Sequence, residues 1–178
     1  MQEGKINKKT IIIFGTGRAK PDSPPYKLAY ETGKLLAQAG FTIANGGYGG
    51  TMLASAKGAV EAGGETIGVT CKAFGSSKAN EYITREIVTD SLNERLKTLI
   101  KLGHAYVVLP GGTGTLLELA LAWEFKNKGF LEKDIPIILV GKFWKPMIDL
   151  IATDDPDSSR YIKQVDEPRQ IVELITDY

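Results

Sequence analysis

The segment with the greatest capacity for chemistry is PGGTGTLLE at residues 110–118. It places a glycine turn, two threonine hydroxyls and a carboxylate directly after an apolar run. Unpaired N–H groups and the helix dipole favour an anion at a helix N-terminus, so such a turn can hold a phosphate. Glu118 follows about one helical turn later. The residues predicted to bind phosphate here are Gly111, Gly112, Thr113, Gly114 and Thr115.

Glu118 has two interpretations in this segment. Thr115-x-x-Glu118 has the spacing of a capping box, in which the glutamate bonds back to the first helical residues. At helical spacing, however, Glu118 shares a face with Leu121, Ala122 and Phe125, which are all apolar. A carboxylate on such a face loses solvent, which raises its pKa. The sequence leaves a structural cap and a functional carboxylate equally open.

Glycine clusters follow three separate apolar runs, at residues 15–17, 46–50 and 111–114. In a doubly wound sheet the carboxyl ends of the strands form the ligand crevice, and glycine there lets the backbone approach a ligand. Tight turn geometry alone explains one such cluster. Three clusters at one edge of a sheet favour a nucleotide or a sugar phosphate as the ligand.

Two common nucleotide motifs are absent. Gly15-x-Gly17 begins a G-x-G-x-x-G fingerprint, but Lys20 stands where the third glycine belongs, and prolines interrupt the path into the next helix. The fingerprint needs all three glycines and that helix, so a dinucleotide dehydrogenase is disfavoured. Residues 46–51 lack the Gly-Lys-Ser/Thr ending of a P-loop, so ATP hydrolysis has no support.

The elements that must position these turns alternate along the chain. Short apolar runs predict strands, and the stretches between them have helical periodicity, a pattern that indicates a parallel sheet. We therefore predict an α/β fold: a single-domain, Rossmann-like, doubly wound parallel sheet with helices on both faces, spanning residues 1–178. The predicted strands are 10–14, 41–44, 66–70, 104–109 and 136–140, with a weaker sixth at 82–89. The predicted helices are 26–37, 52–62, 92–100, 115–128, 144–152 and 167–176, and residues 154–159 are expected to form a polar loop.

Composition excludes several classes of protein. The 178 residues carry 22 basic and 21 acidic side chains, a net charge of +1, which disfavours an extended nucleic-acid surface. One cysteine and one histidine rule out an internal disulfide and a histidine-rich metal site. The polar N-terminal ten residues predict no signal peptide, and no apolar run approaches the ~20 residues that span a bilayer. We expect a cytoplasmic protein that does not enter the membrane.

The motif at residues 110–118 matches the signature PGGxGTxxE, and on this ground the chain resembles the LOG family, the cytokinin riboside 5′-monophosphate phosphoribohydrolases. Three weaker matches lie in the same order along the chain, at 17–26, 46–52 and 59–69. The resemblance covers nearly the whole chain and implies a LOG-type nucleotide-binding domain over residues 1–178.

The resemblance implies a catalytic pair, an arginine and the glutamate of the motif. The glutamate corresponds to Glu118, and the arginine, fifteen residues before the proline of the motif, corresponds to Arg95. Judged by its neighbours alone, Arg95 would instead be a surface residue pairing with Glu94 or Asp90. The chain departs from the family at Leu96, where a lysine is usual, which predicts weaker substrate binding or a divergent subgroup.

The implied reaction is hydrolysis of the N-glycosidic bond of a nucleoside 5′-monophosphate, AMP or N6-modified AMP, to free base and ribose 5-phosphate. Glu118 would contact the ribose, stabilise developing positive charge and orient the attacking water, while Arg95 would hold the substrate. The turn at residues 112–115 would bind the 5′-phosphate, with no metal or cofactor required. The residues expected to frame the base and ribose are Gly15, Thr16, Gly17, Arg18, Gly46 and Gly47. Tyr48, Phe74 and Trp123 are candidates for stacking on the base.

The resemblance also implies a homodimer with sites near the subunit interface. The helix at 116–125, apolar nearly all round, fits burial in a dimer or in the core of a monomer. A second class remains open, the molybdenum cofactor carrier proteins of the same fold branch, which bind a phosphorylated ligand without cleaving it. The presence of Arg95 and Glu118 favours the enzyme, and Leu96 mildly favours the carrier. DNA binding, by analogy with related Rossmann proteins of DNA processing, is disfavoured by the net charge.

Overall fold

The computed structural model describes residues 8–75 and 78–176. In those ranges it has seven strands and six α-helices. The strands are β1 (Thr10–Phe14), β2 (Thr42–Asn45), β3 (Thr66–Cys71), β4 (Arg85–Thr89), β5 (Ala105–Val108), β6 (Ile137–Val140) and β7 (Ile162–Val165). The helices are α1 (Pro24–Gln38), α2 (Thr51–Glu61), α3 (Leu92–Leu102), α4 (Thr113–Asn127), α5 (Lys145–Ala152) and α6 (Pro168–Thr176). Short 3-10 helices lie at Lys72–Phe74 and Ser158–Tyr161.

All strands join one sheet in the order β4-β3-β2-β1-β5-β6-β7, and every neighbouring pair is parallel. From β1 the chain builds outward through β2, β3 and β4, and then returns to place β5 on the other side of β1. This reversal puts a topological switch point between β1 and β5, where doubly wound folds bind their ligands. The predicted α/β fold with a doubly wound parallel sheet is confirmed.

Alternate residues of each central strand face opposite layers of helices. In β1, Ile11 and Ile13 pack against α1, α2 and α6, whereas Ile12 and Phe14 pack on the side of α3 and α4. All four side chains are buried. The strands are therefore apolar throughout because both faces of the sheet are covered, as expected for a parallel sheet.

The structure differs from the sequence-based prediction near the C-terminus. The sixth strand, predicted at 82–89, is present as β4, but β7 was not predicted at all. Lys163 and Gln164 are exposed, so this edge strand lacks the continuous apolar run by which the other strands were recognised. The expected polar loop at 154–159 leads into the 3-10 helix before β7. No helix within the described ranges has the length and apolarity needed to cross a bilayer.

Candidate functional site

A cleft of about 880 Å³ opens at the carboxyl ends of β1 and β5, at the switch point of the sheet. The turn after β1 forms one wall, the first turn of α4 forms another, and α3 closes the side. The predicted site residues that line it are Gly15, Thr16, Gly17, Arg18, Arg95, Gly112, Thr113, Gly114, Thr115 and Glu118. The structure therefore brings most of the predicted residues together around one space.

The N-terminus of α4 points into this cleft. Gly112 is its N-cap, without a side-chain cap, and the helix begins at Thr113. The N–H groups of a first helical turn have no partners inside the helix, so they remain available to an anion. Thr115 is buried and its side chain lies so close to Gly111 that no methyl group would fit there. Gly111 thus packs against the Thr115 side chain, and it is not among the residues that line the cleft.

The capping-box interpretation of Glu118 is wrong. Helix α4 starts two residues earlier than predicted, so Thr115 is its third residue and Glu118 its sixth. A glutamate at that position is already inside the helix and is not placed to bond back to the N-cap. Its carboxylate instead faces the cleft beside Arg95.

Arg95 lies in the first turn of α3, and its side chain is buried rather than on the surface. The N-terminus of α3 is capped, because Ser91 accepts the N–H of Glu94 at 3.2 Å and the Glu94 carboxylate accepts the N–H of Asp90 at 2.9 Å. The alternative interpretation of Arg95, a surface residue pairing with Glu94 or Asp90, is therefore wrong. The Arg95 Nε donates to the Val69 carbonyl at 2.8 Å instead.

Arg95 and Glu118 form a buried pair across the cleft. The Arg95 Nη1 lies 3.5 Å from the Glu118 Oε1, and the two side chains are 7% and 12% exposed. Burial raises the pKa of Glu118 to about 7, although the charge of Arg95 and its hydrogen bond oppose this shift. The expected desolvation is confirmed. Near neutral pH this carboxyl group is divided between its two protonation states, a condition suited to proton transfer or to stabilising positive charge.

Two of the three candidate stacking residues reach the cleft. The rings of Tyr48 and Phe74 line it, with centroids 6.0 Å apart, and each lies 5.7 Å from the Arg95 Cζ. Trp123 is buried in the core, where its indole N–H donates to the Ser158 carbonyl at 2.9 Å. A role for Trp123 in stacking on a ligand is excluded by this position.

The two predicted binding glycines of the second turn, Gly46 and Gly47, lie behind the cleft rather than along it. Gly46 sits against the Arg95 guanidinium so closely that a methyl group there would overlap Nη2. Gly47 has a φ of 77°, and its N–H donates to the Asn45 side chain at 2.8 Å. Neither glycine is among the residues that line the cleft. Their predicted contact with base and ribose has no counterpart in this geometry.

An apolar wall of the cleft was not predicted as such. It is built by Met52, Leu92, Leu96 and Leu117, together with the two rings. Leu96, at the position of the lysine usual in the family, is buried within this wall. The available signal was the helical spacing of α3, since Leu92 lies one turn before both Arg95 and Leu96 and shares their face.

The lining of the cleft combines charged and apolar groups. Arg18, Arg95 and the N-terminus of α4 supply positive potential, and Glu118 is the acidic residue among the described lining residues. The apolar wall and the aromatic rings lie around the rest of the space. This arrangement suits a ligand with an anionic group and a planar or apolar part.

The fold and this cleft define a Rossmann-like protein with a glycine-rich turn at a helix N-terminus and a buried arginine–glutamate pair. The family model described as SLOG cluster4 matches residues 8–171, and the chain belongs to this LOG-type family. The predicted membership of the LOG family is therefore confirmed.

Two relatives illustrate the range of the similarity. A cytokinin riboside 5′-monophosphate phosphoribohydrolase of Mycobacterium tuberculosis is 38% identical over 117 residues, which cover 64% of this chain and 61% of that protein. An uncharacterised protein of Archaeoglobus fulgidus is 31% identical over 131 residues, which cover 74% of this chain and 83% of that protein.

A solved structure is similar over almost the whole chain. The molybdenum cofactor binding protein of Rippkaea orientalis superposes with a TM-score of 0.79 and 28% identity, covering 97% of this chain and 98% of that one. The similar proteins thus include both named enzymes and a named binding protein.

Proposed function

We propose that the protein hydrolyses the N-glycosidic bond of a nucleoside 5′-monophosphate, AMP or N6-modified AMP, to free base and ribose 5-phosphate. The observation that carries this proposal is the buried Arg95–Glu118 pair, 3.5 Å apart, at the edge of an anion-binding helix N-terminus. The relatives named as phosphoribohydrolases support the class of reaction.

The 5′-phosphate is assigned to the N-terminus of α4. Thr113 and Gly114 are exposed in the first turn, where backbone N–H groups point outward. Arg18 stands exposed on the opposite wall and adds a flexible positive charge. Phosphate at this end of the helix directs the ribose toward Glu118, which lies in the second turn of the same helix.

The bond-breaking step places positive charge on the ribose. As the C1′–N bond breaks, its electron pair leaves with the base, and the oxygen of water forms the new bond to C1′. The Glu118 carboxylate stabilises the oxocarbenium-like ribose and accepts one proton of the attacking water, for which a pKa of about 7 is well placed. The departing base takes up a proton from the solvent to give the free base, and Glu118 then returns its proton to the solvent. Arg95 offsets negative charge on the substrate and holds Glu118 toward the cleft.

The base is assigned to the apolar wall. Phe74 is half-exposed and its ring faces the cleft, so a planar base can stack on it. Leu92 and Leu117, also partly exposed, border the same region and suit an apolar substituent on the base.

A second candidate function is binding without cleavage, as in a carrier of a phosphorylated ligand. Two observations favour it: the 28% identity to the Rippkaea orientalis molybdenum cofactor binding protein over nearly the full chain, and Leu96 in place of the usual lysine. The arginine–glutamate pair favours the enzyme, because a carrier has no need of a buried carboxylate with a raised pKa.

Incubation of the purified protein with AMP and with N6-isopentenyl-AMP, followed by chromatography of the free base, tests the proposal. We expect base and ribose 5-phosphate in equal amounts from the wild type, and a loss of at least about a hundredfold in Glu118→Ala. Glu124→Ala, on the exposed side of α4, is the matched control and should retain activity.

The outcome that favours the carrier is equally specific. If no base appears while AMP raises the melting temperature of the wild type, the cleft binds nucleotides without cleaving them. Near-normal turnover by Glu118→Ala would contradict the assigned role of that residue.

A further inference from the structure

Gly46 and Tyr48 of the second glycine turn lie against Arg95 and are placed to hold its guanidinium. Any side chain at Gly46 would occupy the volume of the Arg95 Nη2. The turn after β2 therefore forms the floor beneath the guanidinium, and only a residue without a side chain permits the approach.

Tyr48, within the same turn, presents its ring to the guanidinium. The Arg95 Cζ lies 5.7 Å from the centroid of this ring and 5.7 Å from that of Phe74. An arginine at this distance is attracted by the negative face of an aromatic ring, and more strongly where water is excluded. Because Arg95 is buried, the attraction acts in a partly desolvated environment.

The end of strand β3 fixes both partners. The Tyr48 hydroxyl accepts the N–H of Cys71 at 2.8 Å, and the Arg95 Nε donates to the carbonyl of Val69 at 2.8 Å. These backbone groups belong to one strand, two residues apart. The ring and the guanidinium are thus held at the same rigid element.

Two asparagines fix the backbone of the turn. The Asn45 Oδ1 accepts the N–H of Gly47 at 2.8 Å. The Asn80 Nδ2 donates to the carbonyls of Gly47 and Tyr48 at 3.1 and 2.8 Å. A backbone held from both sides does not have to be ordered when a ligand binds.

We infer that the turn at residues 46–48 positions Arg95, and that Tyr48, with Phe74 beside it, is the positioning residue that keeps the guanidinium facing Glu118. The inference rests on the proposed function in one respect only, namely the role of Arg95 in the reaction. The geometry of the arginine can be measured whether or not the protein cleaves AMP.

The test follows the Arg95 Nε–Hε group by NMR in the full-length protein, with Arg95→Lys to assign its signal. In the wild type this proton exchanges slowly with water, because it is buried and bonded to Val69. Loss of the ring in Tyr48→Leu is expected to speed exchange about tenfold, in line with a cation–π contact in a desolvated site. Tyr48→Phe keeps the ring and should change exchange much less.

Tyr30→Leu is the matched control, because it removes a tyrosine whose hydroxyl is also bonded, to Glu61, but on the far side of the sheet. A second readout is the pKa of the Glu118 carboxyl group, which carbon NMR measures. In Tyr48→Leu the displaced guanidinium no longer lowers the pKa of Glu118, so this pKa should rise. A purely structural role for Tyr48 would lower the melting temperature without moving either signal.

Unchanged exchange in Tyr48→Leu, or equal acceleration in Tyr30→Leu, would overturn the inference. If Tyr48→Leu does not fold, the exchange rate of the Arg95 proton in Phe74→Leu tests the inference instead. The Phe74 ring is half-exposed, so its removal leaves the core intact. We expect exchange about threefold faster in Phe74→Leu, and no change there would also overturn the inference. Failure of the wild type to release base from both AMP and N6-isopentenyl-AMP would refute the proposed function alone.

Discussion

Burial makes the ionisation of Glu118 a cost to the fold, although the adjacent charge of Arg95 opposes this effect. Its pKa is raised from an ordinary value near 4.5 to about 7. Between these two values the unfolded chain releases the Glu118 proton while the folded protein keeps it. The contribution of this group to stability is therefore complete below pH about 4.5, falls as the pH rises, and is lost by about pH 7.

Glu118→Gln is accordingly expected to stabilise the protein in a pH-dependent way. Glutamine cannot ionise, so the variant should unfold with nearly the wild-type free energy at pH 4.5 and be more stable by about 3 kcal/mol at pH 8. Urea unfolding at both pH values measures the difference. Glu124→Gln removes an exposed carboxylate from the same helix, and its effect on the free energy of unfolding should not increase between the two pH values. Equal effects of Glu118→Gln at both pH values would contradict the raised pKa.

Leu96 is the residue at which the chain departs from its family, and it faces the cleft. Leu96→Lys adds a charged donor beside Arg95, and we expect about tenfold tighter binding of AMP, the value of one hydrogen bond to a charged group. Isothermal titration calorimetry measures the affinity, and Leu96→Met, of similar volume but uncharged, is the control. Unaltered affinity in a folded Leu96→Lys would show that this position does not reach the phosphate or ribose.

At the scale of elements, the first turn of α4 carries the phosphate assignment. A side chain at Gly114 would meet no atom within 4 Å, so it can be changed without disturbing the packing. Gly114→Asp places a negative charge where a phosphate would bind. Because acidic residues are favourable in a first turn, the fold should be slightly stabilised while affinity for AMP falls at least about tenfold.

Gly114→Asn is the matched control for that prediction, since it has the same shape without the charge. It should lower the affinity for AMP much less than Gly114→Asp does. Calorimetry with AMP and with ribose 5-phosphate measures both variants, and both ligands should respond alike because they share the phosphate. Equal binding by the two variants would place the phosphate elsewhere in the cleft.

The helices differ in how completely the sheet buries them. In α4, Leu119 and Ala122 lie in the core, whereas Leu116 and Leu117 are 37% and 43% exposed. The core of one chain therefore leaves part of this apolar helix uncovered. In α3, by contrast, Leu96 and Leu99 are buried and the opposite face is charged.

For the assembled protein, we propose that the exposed apolar patch around Leu116 on α4 is covered by a second copy of the chain. Leu116 does not line the cleft, but it belongs to the helix that also supplies Glu118, so this contact would bring two clefts near one interface. Sedimentation velocity should show a dimer for the wild type and a monomer for Leu116→Glu, because a buried unpaired charge opposes association.

Leu150→Glu is the control for the dimer, since Leu150 is 69% exposed on a different helix, α5. It should sediment as the wild type does. A monomeric wild type, or dissociation by both variants, would contradict the proposed interface.

Local sequence patterns were enough to predict the class of fold and the central motif. Runs such as residues 10–14 and 105–108 are rich in apolar and β-branched residues, and glycines follow them closely, so the alternation of strands and helices was visible without tertiary information. The turn at 111–114 was likewise recognisable, because glycine spacing is a local property, although the predicted start of α4 was two residues too late. Strand β7 escaped prediction because an edge strand with exposed lysine and glutamine lacks that pattern.

The roles of the individual side chains depend on contacts between segments that are distant in the sequence. Arg95 and Glu118 are 23 residues apart and meet because α3 and α4 pack on the same face of the sheet. The same packing turned Arg95 away from its neighbours Glu94 and Asp90, which no local pattern reveals. Gly46 faces a guanidinium rather than a ligand for the same reason. Contacts between distant segments depend on how helices cross a twisted sheet, and a linear sequence does not record that geometry.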